Sequence, residues 1–195
     1  MMNREEWLHA MVGRLRPDFA AIGYQLPIAI RVSCGWPSRG GTAANQRTIG
    51  QAWSPKCSAD GSCETFLSPV LSDPIEVGAV LVHELVHHAV GTEAGHKGPF
   101  RKCALAIGLE GKMRSTTAGA KLRERLHALA ESVGPYPHAS LNAAATAKKQ
   151  GTRMLKVACQ ECECIVRMTR QWLDDAGAPT CACGGTMAES GKVAP

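Results

Sequence analysis

The 195-residue chain has no long uninterrupted apolar run. Its longest apolar stretch, Val77 to Val90, is broken by Glu84 and by His83, His87 and His88, so it does not read as a membrane span. The opening residues, MMNREEWLHAMVGRLRP, mix acidic and basic side chains and contain no apolar core of signal-peptide length. No segment repeats. The composition is not that of a disordered chain either, since 45% apolar and 20% charged residues are ordinary for a globular protein. The expectation is a cytoplasmic protein with one domain of common size and a small appendage.

Two features stand out against this background. Nine cysteines are many, and the number is odd. In a reducing compartment such clusters read as metal ligands before disulfides. Charge is unevenly placed: the formal +5 falls entirely within residues 112–195, and residues 1–111 are balanced. A basic tail on a neutral domain suits a polyanionic partner.

Hydrophobic periodicity sets out the elements. Trp7, Leu8, Met11, Val12 and Leu15 have helical spacing, with Pro17 expected to end or kink that helix. Ile28–Trp36, Thr48–Trp53 and Cys63–Val70 read as strands of an antiparallel sheet, separated by Gly-, Ser- and Pro-rich hairpin loops. Asp73-Pro74-Ile75-Glu76 is a strong helix start, with an N-cap acid, proline at the first helical position and glutamate placed for a capping box. That helix is expected to reach Val90 and stop at Gly91. Further helices are expected over Gly98–Ile107 and Ala118–Ser132, followed by a linker of low hydrophobicity after Gly134. The resulting division is 1–112 for the main domain, 113–152 for a helix and linker, and 153–195 for a cysteine-rich module.

Chemistry concentrates in HELVHHAVGTEAGH, residues 83–96. His83 and His87 are four apart, so on a helix they share one face and both imidazoles can reach one metal ion. Glu84 is offset around the helix, where it can touch a water on the metal without ligating, the position of a general base. Catalytic zinc needs three protein ligands and an open position. His96, beyond the Gly91 break and beside Gly95, is the best third ligand, with Glu93 an alternative. His88 points about 100° away from His87 and reads as a structural residue.

With DPIEVGAVLV before it and GHKGPFRKCALAIGL after it, this segment resembles the SprT-like zinc metallopeptidases of bacterial and phage type. That group includes the Spartan DNA–protein crosslink proteases. Their pattern is HExxH, then a glycine–histidine pair carrying the third zinc ligand, then a phenylalanine four residues on. It maps to His83, Glu84, His87, His96 and Phe100, with Lys97 where relatives often have glycine. The resemblance spans roughly residues 25–112. It implies an α+β zincin-like fold with an N-terminal helix, a three-stranded antiparallel sheet and an HExxH helix. It also implies a zinc-dependent peptidase acting on DNA-associated proteins in DNA repair.

Toward the C-terminus, Cys159-Gln-Glu-Cys162 and Cys181-Ala-Cys183 can surround one structural zinc with four thiolates. The second pair is CxC, and Cys164 is a competing ligand. The intervening IVRMTRQWLDD is expected to supply strands of a zinc ribbon, which the resemblance also implies. Cys57 and Cys63 flank a hairpin loop and could pair or bind metal; they, Cys34 and Cys103 are assigned no role. Lys148, Lys149, Arg153, Lys156, Arg167, Arg170 and Trp172 could bind a phosphate backbone and stack a base, making DNA the expected partner. Two zinc ions, one catalytic and one structural, are therefore expected. A second oxyanion donor is left open among Tyr24, Tyr136 and Arg101. Rival readings are a nucleic-acid-binding or transcription-associated module whose metal is only structural, and a metallohydrolase with a non-protein substrate.

Overall fold

The computed structural model describes residues 2–38, 41, 48–142, 145 and 154–190. The chain forms two units, Met1–Ala145 and Thr146–Pro195. The architecture is mixed α+β. Among the described residues, no helix is long and apolar enough to cross a membrane.

The first unit opens with helix α1, Arg4–Ala21. Asn3 caps it: its side chain accepts from the Glu6 N–H at 2.8 Å, and the Glu6 carboxylate accepts from the Asn3 N–H at 2.7 Å. Pro17 does not end this helix. Buried Trp7, Leu8, Met11, Val12 and Leu15 precede it and buried Phe19 follows it, so packing on both sides carries the chain across one missing hydrogen bond.

Strands β1 (Ile30–Cys34), β2 (Gly50–Trp53) and β3 (Cys63–Leu67) form a sheet ordered β1-β3-β2. The expected all-antiparallel sheet is corrected here. β2 and β3 pair antiparallel, but β1 and β3 run parallel, with Ile30 opposite Cys63 and Cys34 opposite Leu67. The physical reason is the length of the link between β1 and β2. It is far longer than a tight hairpin loop, so β3 inserts between the two strands and β2 becomes the edge.

Helix α2 spans Pro74–Val90, with the Asp73 carboxylate accepting from the Ile75 and Glu76 amides at 3.0 and 2.8 Å. It is the central element, packing against α1, the sheet, α3 (Gly98–Ile107) and α4 (Ala120–Val133). Gly108, in the left-handed region at φ +95°, closes α3. Between α3 and α4 lies a hairpin absent from the sequence-based expectation, β4 (Leu109–Lys112) and β5 (Ser115–Ala118). α4 belongs to the core of this unit. Its Leu126 is fully buried, and a Cβ on Gly78 of α2 would lie 2.9 Å from Leu126 Cδ2. Truncating such a side chain to alanine costs about 2–5 kcal/mol.

The segment after Gly134, expected as a linker, is instead strapped to this unit as far as Leu141. Trp7 Nε1 donates to the Gly134 carbonyl at 2.7 Å, and the Leu141 amide donates to the Pro69 carbonyl at 2.8 Å. Ser140 Oγ donates to the Val70 carbonyl at 2.6 Å, while Tyr136 packs on Trp7 with ring centroids 4.8 Å apart.

The second unit holds β6 (Leu155–Cys159), β7 (Ile165–Met168), helix α5 (Arg170–Ala176) and β8 (Met187–Glu189), in the sheet order β7-β6-β8. The expectation that IVRMTRQWLDD supplies strands is met by Ile165–Met168, and the rest of the segment enters α5. Thr169 caps a short helix by accepting from the Trp172 amide, and the chain leaves the sheet after Met168. Its small core is Val157, Cys159, Cys181 and Met187, too little apolar burial to hold fifty residues unaided.

Candidate metal centres

Helix α2 sets His83 and His87 one turn apart, and the turn before α3 brings back His96. Gly95 makes this return possible, because its φ of +53° with ψ of −138° is a backbone conformation closed to other residues. His96 Nε2 lies 3.1 Å from His83 Nε2 and 3.3 Å from His87 Nε2. Ligand nitrogens about 2.0–2.1 Å from a tetrahedral ion would be about 3.3 Å apart, so the three imidazoles fit a metal as they stand. Phe100, fully buried, is packed against all three rings at centroid distances of 4.9, 4.5 and 4.9 Å to His83, His87 and His96.

The electrostatics agree with ligation. Burial, reinforced by neighbouring imidazoles, lowers the His83 pKa to about 4 and that of His87 to about 3. Burial, with help from the Arg114 charge, also lowers that of His96. All three are thus neutral near pH 7, with lone pairs available to a metal. His83 Nδ1 lies 2.8 Å from Thr116 Oγ1, which fixes the ring so that Nε2 faces the cluster.

Glu84 is buried and is not one of the converging ligands. Burial raises its pKa to about 8, opposed by the backbone amide of Ala52 on β2. His88 also stays outside the cluster, with Nε2 2.7 Å from Thr65 Oγ1 on β3. Glu93, the alternative ligand, is ion-paired with Lys56 at 3.3 Å and solvent-exposed. Of the proposed oxyanion donors, Tyr136 is engaged with Trp7 and Cys34. Tyr24 packs on the hydrophobic core, and Arg101 lies exposed on α3.

Sequence reasoning missed Thr116, Arg114, Ala52 and Gly50. The first two arrive on the β4–β5 hairpin, whose turn is Met113-Arg114. No non-glycine residue there has positive φ, so the turn lacks the Asn-Gly or Gly-X signature by which a two-residue hairpin is recognised. The other two sit on edge strand β2, in a stretch with no chemical signal of its own.

In the second unit Cys159, Cys162, Cys181 and Cys183 converge, their sulfur atoms within 4.8 Å of one another. Cys159–Cys183, Cys162–Cys181 and Cys181–Cys183 are each 3.5 Å apart, near the roughly 3.8 Å expected around a tetrahedral zinc. Amides support the sulfurs: Glu161 N–H donates to Cys159 Sγ and Gly185 N–H to Cys183 Sγ, both at 3.4 Å. The Cys162 amide, followed by that of Glu161, draws the Cys159 thiol down to about 7. A Cβ at Gly185 would lie 2.7 Å from Cys159 Sγ, so the site closes only over glycine. The CxC spacing is thereby accommodated, and Cys164 stays exposed outside the cluster. Cys57 is exposed, Cys63 and Cys103 are buried, and all three are free thiols, so Cys57 and Cys63 do not pair.

Of the basic residues, Lys148, Lys149 and Arg153 lie outside the described residues. Lys156 and Arg167 are exposed and directly opposite each other across β6 and β7. Arg170 is committed to Glu189, at 2.6 and 2.8 Å. Arg167, Met154, Met168 and the 61% exposed Trp172 line a groove of about 450 Å³.

No family model matches the chain, and neither the curated proteins nor the solved structures include a significant match to it.

Proposed function

We propose that this protein is a zinc-dependent peptidase of the SprT-like kind that acts on DNA-associated proteins. The observation that carries the reading is the set of three neutral imidazoles converging within 3.1–3.3 Å contacts, with a buried carboxylate beside them that does not ligate. A purely structural three-histidine site has no use for that acid. When bound, a zinc ion supplies positive charge and Lewis acidity, acidifying a water to a pKa of roughly 7, polarising a peptide carbonyl and favouring the ionised form of Glu84.

The remaining steps belong to the chain. Glu84 takes a proton from the attacking water and passes it to the leaving amide nitrogen. Thr116 keeps His83 in its ligating tautomer, and Phe100 keeps the rear of the three rings dry. Arg114, at the tip of the hairpin that carries Thr116, replaces Tyr24, Tyr136 and Arg101 as the candidate second donor to the oxyanion.

DNA targeting is assigned to the second unit. Lys156 opposite Arg167 is an unfavourable cross-strand pair in isolation, and a phosphate backbone would relieve the repulsion. Trp172 beside Arg167 offers a stacking surface for a base. The test is cleavage of a DNA-binding protein by wild type and Glu84→Gln, with and without single-stranded DNA. Cleavage that requires both Glu84 and DNA supports the reading. If neither protein cleaves while both carry zinc, a binding module or a non-protein substrate takes its place.

A further inference from the structure

We infer that edge strand β2 forms a slot that positions the Glu84 carboxylate, with Gly50 providing the space and the Ala52 amide providing the anchor. Val80 and Glu84 are one helical turn apart on α2, and β2 passes across this pair. A Cβ at Gly50 would lie 2.7 Å from Val80 Cγ1 and 3.0 Å from Glu84 Cδ, and would collide with Glu84 Oε1. The backbone does not demand glycine here, because Gly50 is not among the residues with positive φ. Only the space does.

The anchor follows from the phase of the sheet. The Ser68 amide donates to the Ile49 carbonyl at 2.9 Å, so Ile49 and Ser68 form a hydrogen-bonded pair. In an antiparallel ladder such pairs alternate with pairs whose amides point outward. Gly50, opposite Leu67, and Ala52, opposite Thr65, therefore turn their N–H groups away from β3. The Ala52 N–H lies on that outward side, and it lowers the pKa of the Glu84 carboxylate against the effect of burial. A glutamate side chain has several rotatable bonds. The slot holds it in one arrangement by excluded volume on one side and a donor on the other. Gly50 and Ala52 are thus positioning residues and need not touch a substrate.

The kinetic consequence rests on Glu84 being the general base, whereas the slot itself does not. Two double-mutant cycles on the zinc-loaded full chain separate them. In the first, Gly50→Ala is expected to lower kcat about 100-fold with KM and zinc content little changed. Combined with Glu84→Asp, whose carboxylate is one methylene shorter, the same methyl is expected to cost little further activity. In the second, read by thermal unfolding, Gly50→Ala is expected to lower Tm by several degrees with Glu84 present and by less in Glu84→Ala, where only the contact with Val80 remains. Equal Tm losses in both backgrounds would overturn the slot. Coupled Tm losses together with no cleavage by any variant, wild type included, would sustain the slot and overturn the peptidase reading alone.

Discussion

Replacing Thr116 with valine tests how the metal site is held together. The side chain keeps its shape and its preference for a strand, and a single oxygen is lost. That oxygen is 2.8 Å from His83 Nδ1, so the change leaves an N–H without its acceptor and frees the ring to turn. Leaving a buried donor unpaired costs about 1–3 kcal/mol. Loss of a hydrogen-bond partner to a metal-bound histidine typically weakens metal affinity about 10- to 100-fold. The two figures agree, since a factor of ten is about 1.4 kcal/mol. Thr116 is only half-buried, so water can replace part of the bond, and the expected loss is near the lower end, about tenfold. Competition against a chelator of known affinity should show one of two metal ions released more readily in Thr116→Val, the other unchanged, and Thr116→Ser close to wild type. Unchanged affinity for both ions would refute the idea that the hairpin orients His83.

Other consequences can be measured separately. Glu84 has a folded-state pKa of about 8, above its unfolded value. Its neutral form therefore favours folding below about pH 4.5, and that contribution is lost as pH rises through 8. In metal-free protein, Glu84→Gln should thus gain Tm relative to wild type across this window; a constant difference would contradict the burial argument. The buried histidines act in the opposite sense. With pKa values lowered to about 4 and 3 for His83 and His87, metal-free protein should lose stability as pH falls from about 6.5 toward those values, and urea melts at several pH values would show it. Arg114→Ala should lower kcat by about 100-fold or more if it serves the oxyanion while zinc content stays the same; an unchanged kcat would remove it from the mechanism. Trp172→Ala should weaken single-stranded DNA binding by about 1–3 kcal/mol in a fluorescence titration, and equal affinity would detach the groove from DNA.

What was legible in the sequence follows from where the physics is local. Asp73-Pro74 and Gly91 bound α2, and Gly98 and Gly108 bound α3, because cap residues act within one turn of the helix end. The histidines and cysteines were legible by identity, since few residue types bind a metal and i, i+4 spacing fixes a helix face. Strand direction was not legible: β1 has the same alternation whether it pairs parallel or antiparallel, and only the order β1-β3-β2 settles it. The β4–β5 hairpin escaped because its strands are short and polar and its turn uses neither glycine nor asparagine. The strap over 134–141 escaped for a related reason. Carbonyl and side-chain hydrogen bonds hold it, with Tyr136 as its main apolar anchor, so its composition resembles that of a free linker. Residues that orient the site therefore lay on the segments with the weakest local signal.

Zinc analysis combined with zinc-edge X-ray absorption on one sample tests the central claim most directly. Two clusters, of three histidines and four cysteines, predict two zinc ions per chain. Four sulfur ligands shared between two ions give an average of two sulfurs per zinc, with nitrogen and oxygen completing the remainder, and Glu84→Gln should leave this average unchanged. A single zinc ion surrounded by sulfur alone would mean that His83, His87 and His96 hold no metal, and would contradict the account.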